Sequence, residues 1–188
     1  MSDVDLINQA RQGDDAAWLA LVSQHQEGVF RLAYLLLGDA DEARDVAQEA
    51  FIRAFQALDR FEAGRPLRPW LLQIAANLAR NRQRAAGRYL AALKRWLQRE
   101  PEAVGPSPQD EHLQQQEAQR LWQAVRRLSQ ADQEIIYLRY FLELSVAETA
   151  EAAGLAQGTV KSRLSRALER LRQVIEREFP GLWKERVA

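Results

Sequence analysis

The stretch SVAETAEAAGLAQGTVKSRLSRALERL, residues 145–171, decides how the chain is read. Ser145 and Glu148 stand three apart ahead of an apolar run. That is the spacing of a capping box, in which each side chain satisfies the other residue's backbone N–H. A short helix is predicted over Val146–Ala153, presenting Val146, Ala147 and Ala150 inward. Gly154 supplies the left-handed backbone that a tight turn requires, and Leu155 plugs the turn. A second helix starts near Gln157–Thr159. Its buried stripe is Val160, Leu164, Ala167, Leu168 and Leu171, which leaves Lys161, Ser162, Ser165, Arg166 and Glu169 facing outward near its beginning. This is the pattern of a helix-turn-helix, whose second helix enters the DNA major groove by its early residues. Lys and Arg reach guanine edges or phosphates there, and Ser bonds base or backbone. A plain helical hairpin with a basic outer face is the alternative. The coincidence of small residues, glycine and basic stripe at this spacing favours DNA.

Outward from that stretch the chain is helical throughout. Ala, Leu, Gln, Glu and Arg dominate, and no segment sustains a period of two. A short helix is predicted around Asp3–Arg11. A long one follows from Asp14 to Leu37, with Trp18, Leu21, Val22, Val29, Leu32, Ala33 and Leu36 at helical spacing and Gly38 as its stop. The next, Asp41 to Leu58, buries Val46, Ala47, Ala50, Phe51, Ala54 and Leu58 and turns Asp41, Asp45, Gln48, Glu49 and Arg53 to other faces. After the loop DRFEAGRPLR comes RPWLLQIAANLARNRQR, residues 68–84, with Pro69 in the first turn of a helix. Trp70, Leu71, Ile74, Ala75 and Leu78 are its apolar side. Gln73, Asn77, Arg80 and Arg84 make one polar stripe. A further helix carries Leu121, Val125 and Leu128.

Net charge is zero over 188 residues, but it is unevenly spread. Residues 1–63 sum to −7, whereas residues 64–99 hold nine Lys or Arg and no acid. Residues 100–118 hold five acids and no base, and residues 152–177 sum to +4. Two separate basic segments suit a long polyanion touched twice, and two solvated faces are the alternative on charge alone. The Pro- and acid-rich segment after residue 99 cannot bury enough apolar surface to hold a fold, so it marks a boundary. Cysteine is absent, which excludes disulfides and thiolate zinc sites. No apolar run reaches the ~18 residues of a membrane span, and residues 1–15 lack the basic and apolar regions of a secretion signal. His25 and His112 sit in no metal-spaced cluster. His25 is expected on a helix surface and His112 in a linker. No phosphate-binding glycine loop, Cys nucleophile or spaced carboxylate pair supports an enzyme. No cofactor is expected.

Three motifs, in order, carry a family resemblance: GDADEARDVAQEAFIRAF, RPWLLQIAANLARNRQR and LSQADQEIIYLRYFLELSVAETAEAAGLAQGTVKSRLSRALERLR. Together they cover nearly the whole chain. The chain resembles bacterial RNA polymerase sigma factors of the extracytoplasmic-function (ECF) group. The resemblance implies an all-α protein of two small helical domains joined by a flexible linker. These are a sigma-2-type domain at 1–87, a linker at 88–113 and a sigma-4-type helix-turn-helix domain at 114–188. It implies binding to the clamp helices and flap of core RNA polymerase, opening of the promoter −10 element by the first domain and binding of the −35 element by the second. Asp41, Asp45, Gln48 and Glu49 match the clamp-binding positions. Arg65, Arg68, Gln73, Asn77, Arg80 and Arg84 match the −10 reader. There a base is flipped from the non-template strand, Asn77 stands at a base-reading position, and the positive charge neutralises phosphates. Trp70 matches a packing position. Lys161, Ser162, Arg163, Ser165 and Arg166 match the −35 contacts. Ala156 stands where the family often has Pro or Ser, which implies a less well capped recognition helix.

The resemblance further implies a cytoplasmic protein held inactive by an anti-sigma factor that covers these faces. The apolar positions around Leu142–Leu144 and the tail FPGLWKERVA are candidate outer docking points for it or for the polymerase. The acidic run at 100–111 is a candidate nucleic-acid mimic. The basic stretch at 88–99 either continues the −10 helix or binds elsewhere. A conventional helix-turn-helix regulator accounts for the second domain equally well. It leaves the second basic patch, the acidic helix and the loop between them without a role.

Overall fold

The computed structural model describes residues 2–62, 64–97, 113–180 and 182, with backbone alone at 87–97 and 113–118. Eight α-helices lie among the described residues, with no strand. Helix α1 (Asp3–Arg11) opens with a capping box between Ser2 and Asp5. Helix α2 (Asp15–Leu37) is capped by Asp14, whose carboxylate accepts from the N–H groups of Ala16 and Ala17. It ends on left-handed Gly38. Helix α3 (Ala40–Ala57) is capped by Asp39 in the same manner and runs into a single 3-10 turn, Leu58–Arg60.

Helix α4 (Leu67–Leu97) begins two residues before Pro69, which therefore sits where no helical N–H is needed. It passes residue 88 without a break, so of the two readings of the basic stretch its backbone continues the helix that carries residues 68–84. The acidic run at 100–111 and His112 lie outside the described residues.

The first core is made where α2, α3 and α4 meet. Leu21, Val29, Leu32 and Ala33 come from α2, and Ala43, Val46, Ala50 and Ala54 from α3. Leu71, Leu72, Ala75, Ala76 and Ala79 complete it from α4, all at 1% exposure or less. The alanine rows of α3 and α4 let the helices approach closely, while each fully buried leucine contributes about 2 kcal/mol. Trp70 is half-buried and stacks on Phe61, ring centroids 4.6 Å apart, in the packing role expected of it. Arg11 donates to the carbonyl oxygens of Leu58 (3.0 and 2.9 Å) and Phe61. It thereby pins the start of the loop before α4 to the first helix of the chain.

The second domain comprises α5 (Leu113–Arg126), α6 (Gln130–Ile136), α7 (Val146–Ala153) and α8 (Gln157–Glu178). Helix α6 widens into one π-type turn, Tyr137–Phe141, closed by Leu142 N–H donating to the Tyr137 carbonyl at 3.0 Å. The extra residue in that turn resets the register, and Glu143 takes a left-handed φ of 56°. Leu142 and Leu144 consequently point inward, at 3% and 0% exposure. The expectation of an apolar outer surface at Leu142–Leu144 is thus corrected. The tail from residue 183 lies outside the described residues.

The helix-turn-helix has the predicted bounds. Both hydrogen bonds of the Ser145–Glu148 box form, and Gly154 adopts φ 67°. Ala156 caps α8 without a side-chain hydrogen bond. Two inward assignments are corrected. Ala147 is exposed, with Thr149, Ala152 and Ala153 filling the interior instead, and Leu168 is 37% exposed. His25 is not a free surface residue either. Its side chain is 12% exposed, and Nε2 lies 3.1 Å from Asp3.

The two domains are packed together. Helix α4 packs against α7 as well as against α3 of its own domain, and α2 touches α6 and the π-type turn. Arg126 stacks its guanidinium on Trp122, 4.8 Å from the ring centroid. The same guanidinium lies over the C-terminal end of α2 at Gly38, where a cation complements the helix dipole.

Candidate nucleic-acid interface

The two basic helices differ in what they face. On α8, Lys161, Ser162, Ser165 and Arg166 are exposed on one side of the first turns. Their described hydrogen bonds stay within the helix: Ser162 Oγ donates to the Thr159 carbonyl at 3.1 Å, and Arg166 Nε to the Ser162 carbonyl at 3.2 Å. Arg163 is half-buried on the flank, close enough to Glu134 to favour that carboxylate. Behind this face α8 is held by Val160, Ala167 and Leu171 and by Arg170, which donates to buried Asp132 at 2.6 Å.

The basic stripe of α4 meets the other domain. Arg65 directs Nε and Nη2 at one carboxylate oxygen of Glu151, at 3.1 and 2.7 Å. Arg68 Nη2 donates to the Leu142 carbonyl at 3.0 Å and lies near Glu148. Arg80 Nη1 reaches both oxygens of Glu134, at 3.2 and 3.1 Å, while its Nη2 donates to Asn77 Oδ1 at 2.5 Å. Gln73 is half-buried beside Gly154, where a Cβ on the glycine would stand 3.3 Å from its amide nitrogen. Asn77 keeps an exposed edge, and Arg84 is exposed. Glu134 is 4% exposed. Burial raises its pKa above the ordinary carboxyl value, and the Arg80 and Arg163 charges oppose the rise.

Helix α3 presents a third face. Asp41, Asp45 and Gln48 are exposed and Glu49 is half-buried. Asp41 pairs with Arg44, and Glu49 with Arg53 at 2.5 Å. Arg82 of α4 stands 3.6 Å from Asp45 and 3.9 Å from Glu49. Gln48 borders a groove of about 720 Å³ between α2 and α3, lined by Trp18, Val22, Phe30, Ile52 and Phe55 among others. Ile52 and Phe55 are half in solvent, at 50% and 49% exposure. An apolar strip of this kind flanked by acids and a glutamine fits a helical partner with basic residues. Among the described residues no His/Cys/Asp/Glu group could hold a metal ion, and no helix is long and apolar enough to cross a membrane.

Sequence reasoning missed the groove and the acidic partners of the α4 stripe. Glu134 did leave a signal, since an acid set in the apolar run EIIYL must find a cation if it is buried. Its partner lies 54 residues away and could not be read from spacing.

Two helical domains, a helix-turn-helix with an open basic face, and a second basic helix beside an acidic one define a transcription factor of the sigma type. The models for Sigma-70 region 2 and Sigma-70 region 4 match residues 21–89 and 118–171. The chain is 34% identical over 176 residues to the ECF RNA polymerase sigma factor SigW of Bacillus subtilis, covering 89% of this chain and 93% of SigW. It is 31% identical to the ECF sigma factor BldN of Streptomyces coelicolor, over 92% of this chain and 65% of BldN. Among solved structures it resembles CnrH in complex with the cytosolic domain of CnrY, with a TM-score of 0.69 and 26% identity over 94% of this chain and 98% of that one. It also resembles the sigma factor RpoE of Bartonella quintana bound to the anti-sigma factor NepR, with a TM-score of 0.65 and 27% identity over 85% of this chain and 96% of that one. The chain belongs to the ECF group of RNA polymerase sigma factors, and its function is that of an alternative sigma factor in transcription initiation. A conventional regulator acting without polymerase finds no support in these matches.

Proposed function

We propose that the chain binds core RNA polymerase through α3 and its groove, reads the −10 element with α4 and the −35 element with α8, and catalyses no reaction itself. The observation that carries this reading is one chain with two basic helices on separate domains beside an acidic, apolar-edged helix. In this division residues 1–87 bind polymerase and the opened strand, 114–188 bind duplex DNA, and 88–113 connect them. Asp41, Asp45, Gln48 and Glu49 meet the clamp helices, with Ile52 and Phe55 supplying apolar area beside them. Arg65, Arg68, Gln73, Arg80 and Arg84 hold the displaced strand, and Asn77 reads a base because its amide both donates and accepts. Lys161, Ser162, Arg163, Ser165 and Arg166 bind the major groove and its flanking phosphates.

The action is cytoplasmic, where the polymerase works. Two solved relatives were captured with a second protein, the RpoE partner being named an anti-sigma factor. That supports control of this chain by an anti-sigma factor. The test is to mix the purified chain with bacterial core polymerase and measure promoter-directed initiation. Binding and initiation uphold the reading. Failure to bind core, with tight duplex binding by the chain alone, overturns the roles of α3 and α4.

A further inference from the structure

The contacts between the domains form a charge-matched set on one surface. Three arginines of the α4 region, Arg65, Arg68 and Arg80, meet Glu151 directly, the Leu142 carbonyl beside Glu148, and Glu134 directly. Each acceptor belongs to the second domain, and each donor is one assigned above to the displaced DNA strand. Glu134 and Glu151 give Arg80 and Arg65 the kind of charge-assisted pairing that phosphates accept. Gln73 of the same stripe is closed against the turn glycine, Gly154. Meanwhile Lys161, Ser162, Ser165 and Arg166 stay in solvent. The arrangement is therefore one-sided: it engages Arg65, Arg68, Gln73 and Arg80 of the strand-binding stripe, leaves Asn77 and Arg84 exposed, and spares the duplex-binding face.

We infer that the second domain inhibits the first in the unbound chain, with Glu134 and Glu151 standing in for DNA phosphates on Arg80 and Arg65. This closure needs no second protein, and it rests on the assignment of the α4 stripe to DNA made under Proposed function. An anti-sigma partner would add to it by holding the pair shut. Polymerase would relieve it by separating the domains. Ion pairs at a partly wetted interface weaken with salt, so closure is a salt-dependent equilibrium. A population shift follows whatever binds the open form better.

The full chain contains no cysteine, so a single Gln73→Cys reporter gives a clean measure of closure through its rate of maleimide labelling. The reporter chain should label slowly at low salt and faster as salt rises. Adding Glu151→Arg should speed labelling at low salt about fivefold. Adding Arg65→Glu to that chain should restore the pairing with reversed polarity and return the rate to within about twofold of the reporter alone. Far-UV circular dichroism and thermal unfolding confirm that each variant is folded. If neither salt nor Glu151→Arg changes the rate, or if the charge swap fails to restore it in a folded chain, closure by these pairs is overturned.

A second readout separates this from the DNA assignment. Binding of fluorescein-labelled single-stranded oligothymidylate to Glu151→Arg, without the reporter, should tighten about fivefold at fixed salt. Faster labelling with unchanged oligothymidylate binding leaves closure standing and overturns the assignment of α4 to the strand.

Discussion

Helices α4 and α8 are the two basic helices of the molecule, and they are held in opposite ways. Helix α8 is buried by its own domain on one side and offers Lys161, Ser162, Ser165 and Arg166 to solvent on the other. Helix α4 is buried by its own domain on one side, and on its polar side Arg80 and, from the loop before it, Arg65 are paired with α6 and α7, while Asn77 and Arg84 stay exposed. A duplex can approach the first as it stands. Under the proposed assignment, a displaced strand must take Arg65 and Arg80 away from Glu151 and Glu134 before it can use them. Basic charge in a sequence therefore marks a surface suited to a polyanion, and packing decides how much of that surface is open.

The sharpest test of the comparison is a pair of single substitutions. Arg166→Ala should weaken −35 duplex binding by about 5- to 150-fold, the ~1–3 kcal/mol of one good base contact, and should leave labelling at the Gln73→Cys reporter unchanged. Asn77→Ala should do the reverse in function, slowing open-complex formation about tenfold with little effect on the duplex. Filter binding and permanganate footprinting at fixed salt read the two effects. Equal losses on both elements in both variants would collapse the distinction between the helices.

A smaller effect belongs to the hinge of the comparison, Gly38. Its φ is 76°, and a Cβ there would stand 2.6 Å from Nη1 of Arg126. Gly38→Ala should cost about 1–2 kcal/mol in urea unfolding, because an L side chain is strained at that φ, while the flexible Arg126 guanidinium swings aside and reporter labelling stays nearly unchanged. Ser145→Ala removes the box at the start of α7. It should cost about 1 kcal/mol, with little change in the polarity of closure.

The smallest effect is on pH, and the two glutamates have opposite signs. Glu148 has its pKa lowered from 4.5 by the backbone and side-chain hydrogen bonds with Ser145, so its contribution is present above 4.5 and is lost as pH falls through its folded value. Glu134 has its pKa raised from 4.5 by burial, against the pull of Arg80 and Arg163. Between 4.5 and that raised value the folded chain binds more proton than the unfolded one, so this contribution declines as pH rises through the window. Urea midpoints of Glu134→Gln against the unchanged chain, from about pH 4 to about pH 7, should show the difference growing in favour of Gln through the window just above 4.5. A flat difference would mean that Glu134 titrates normally.

The helix-turn-helix was legible nearly to the residue. Its determinants are local: Ser145 with Glu148, the left-handed turn at Gly154, and the start at Gln157 all follow from neighbours within a few positions. The bounds of α2 were equally legible from Asp14 and Gly38. The inward turn of Leu142 and Leu144 was not, because one π-type turn moves the register by a residue and no spacing rule anticipates it. The α4 stripe was readable as a stripe, but its cover was not. The partners of Arg80 and Arg65 lie 54 and 86 residues further along, and only the folded domains bring them together.

That separation along the chain also sets an order in time. The basic stripe is complete once α4 has been made, and Glu134 follows Arg80 by 54 residues. At bacterial elongation rates the interval is about 3 to 10 s. A ribosome-tethered first domain therefore passes through a period in which Arg65 and Arg80 lack Glu151 and Glu134, and release of the C-terminal half ends that period by supplying these carboxylates.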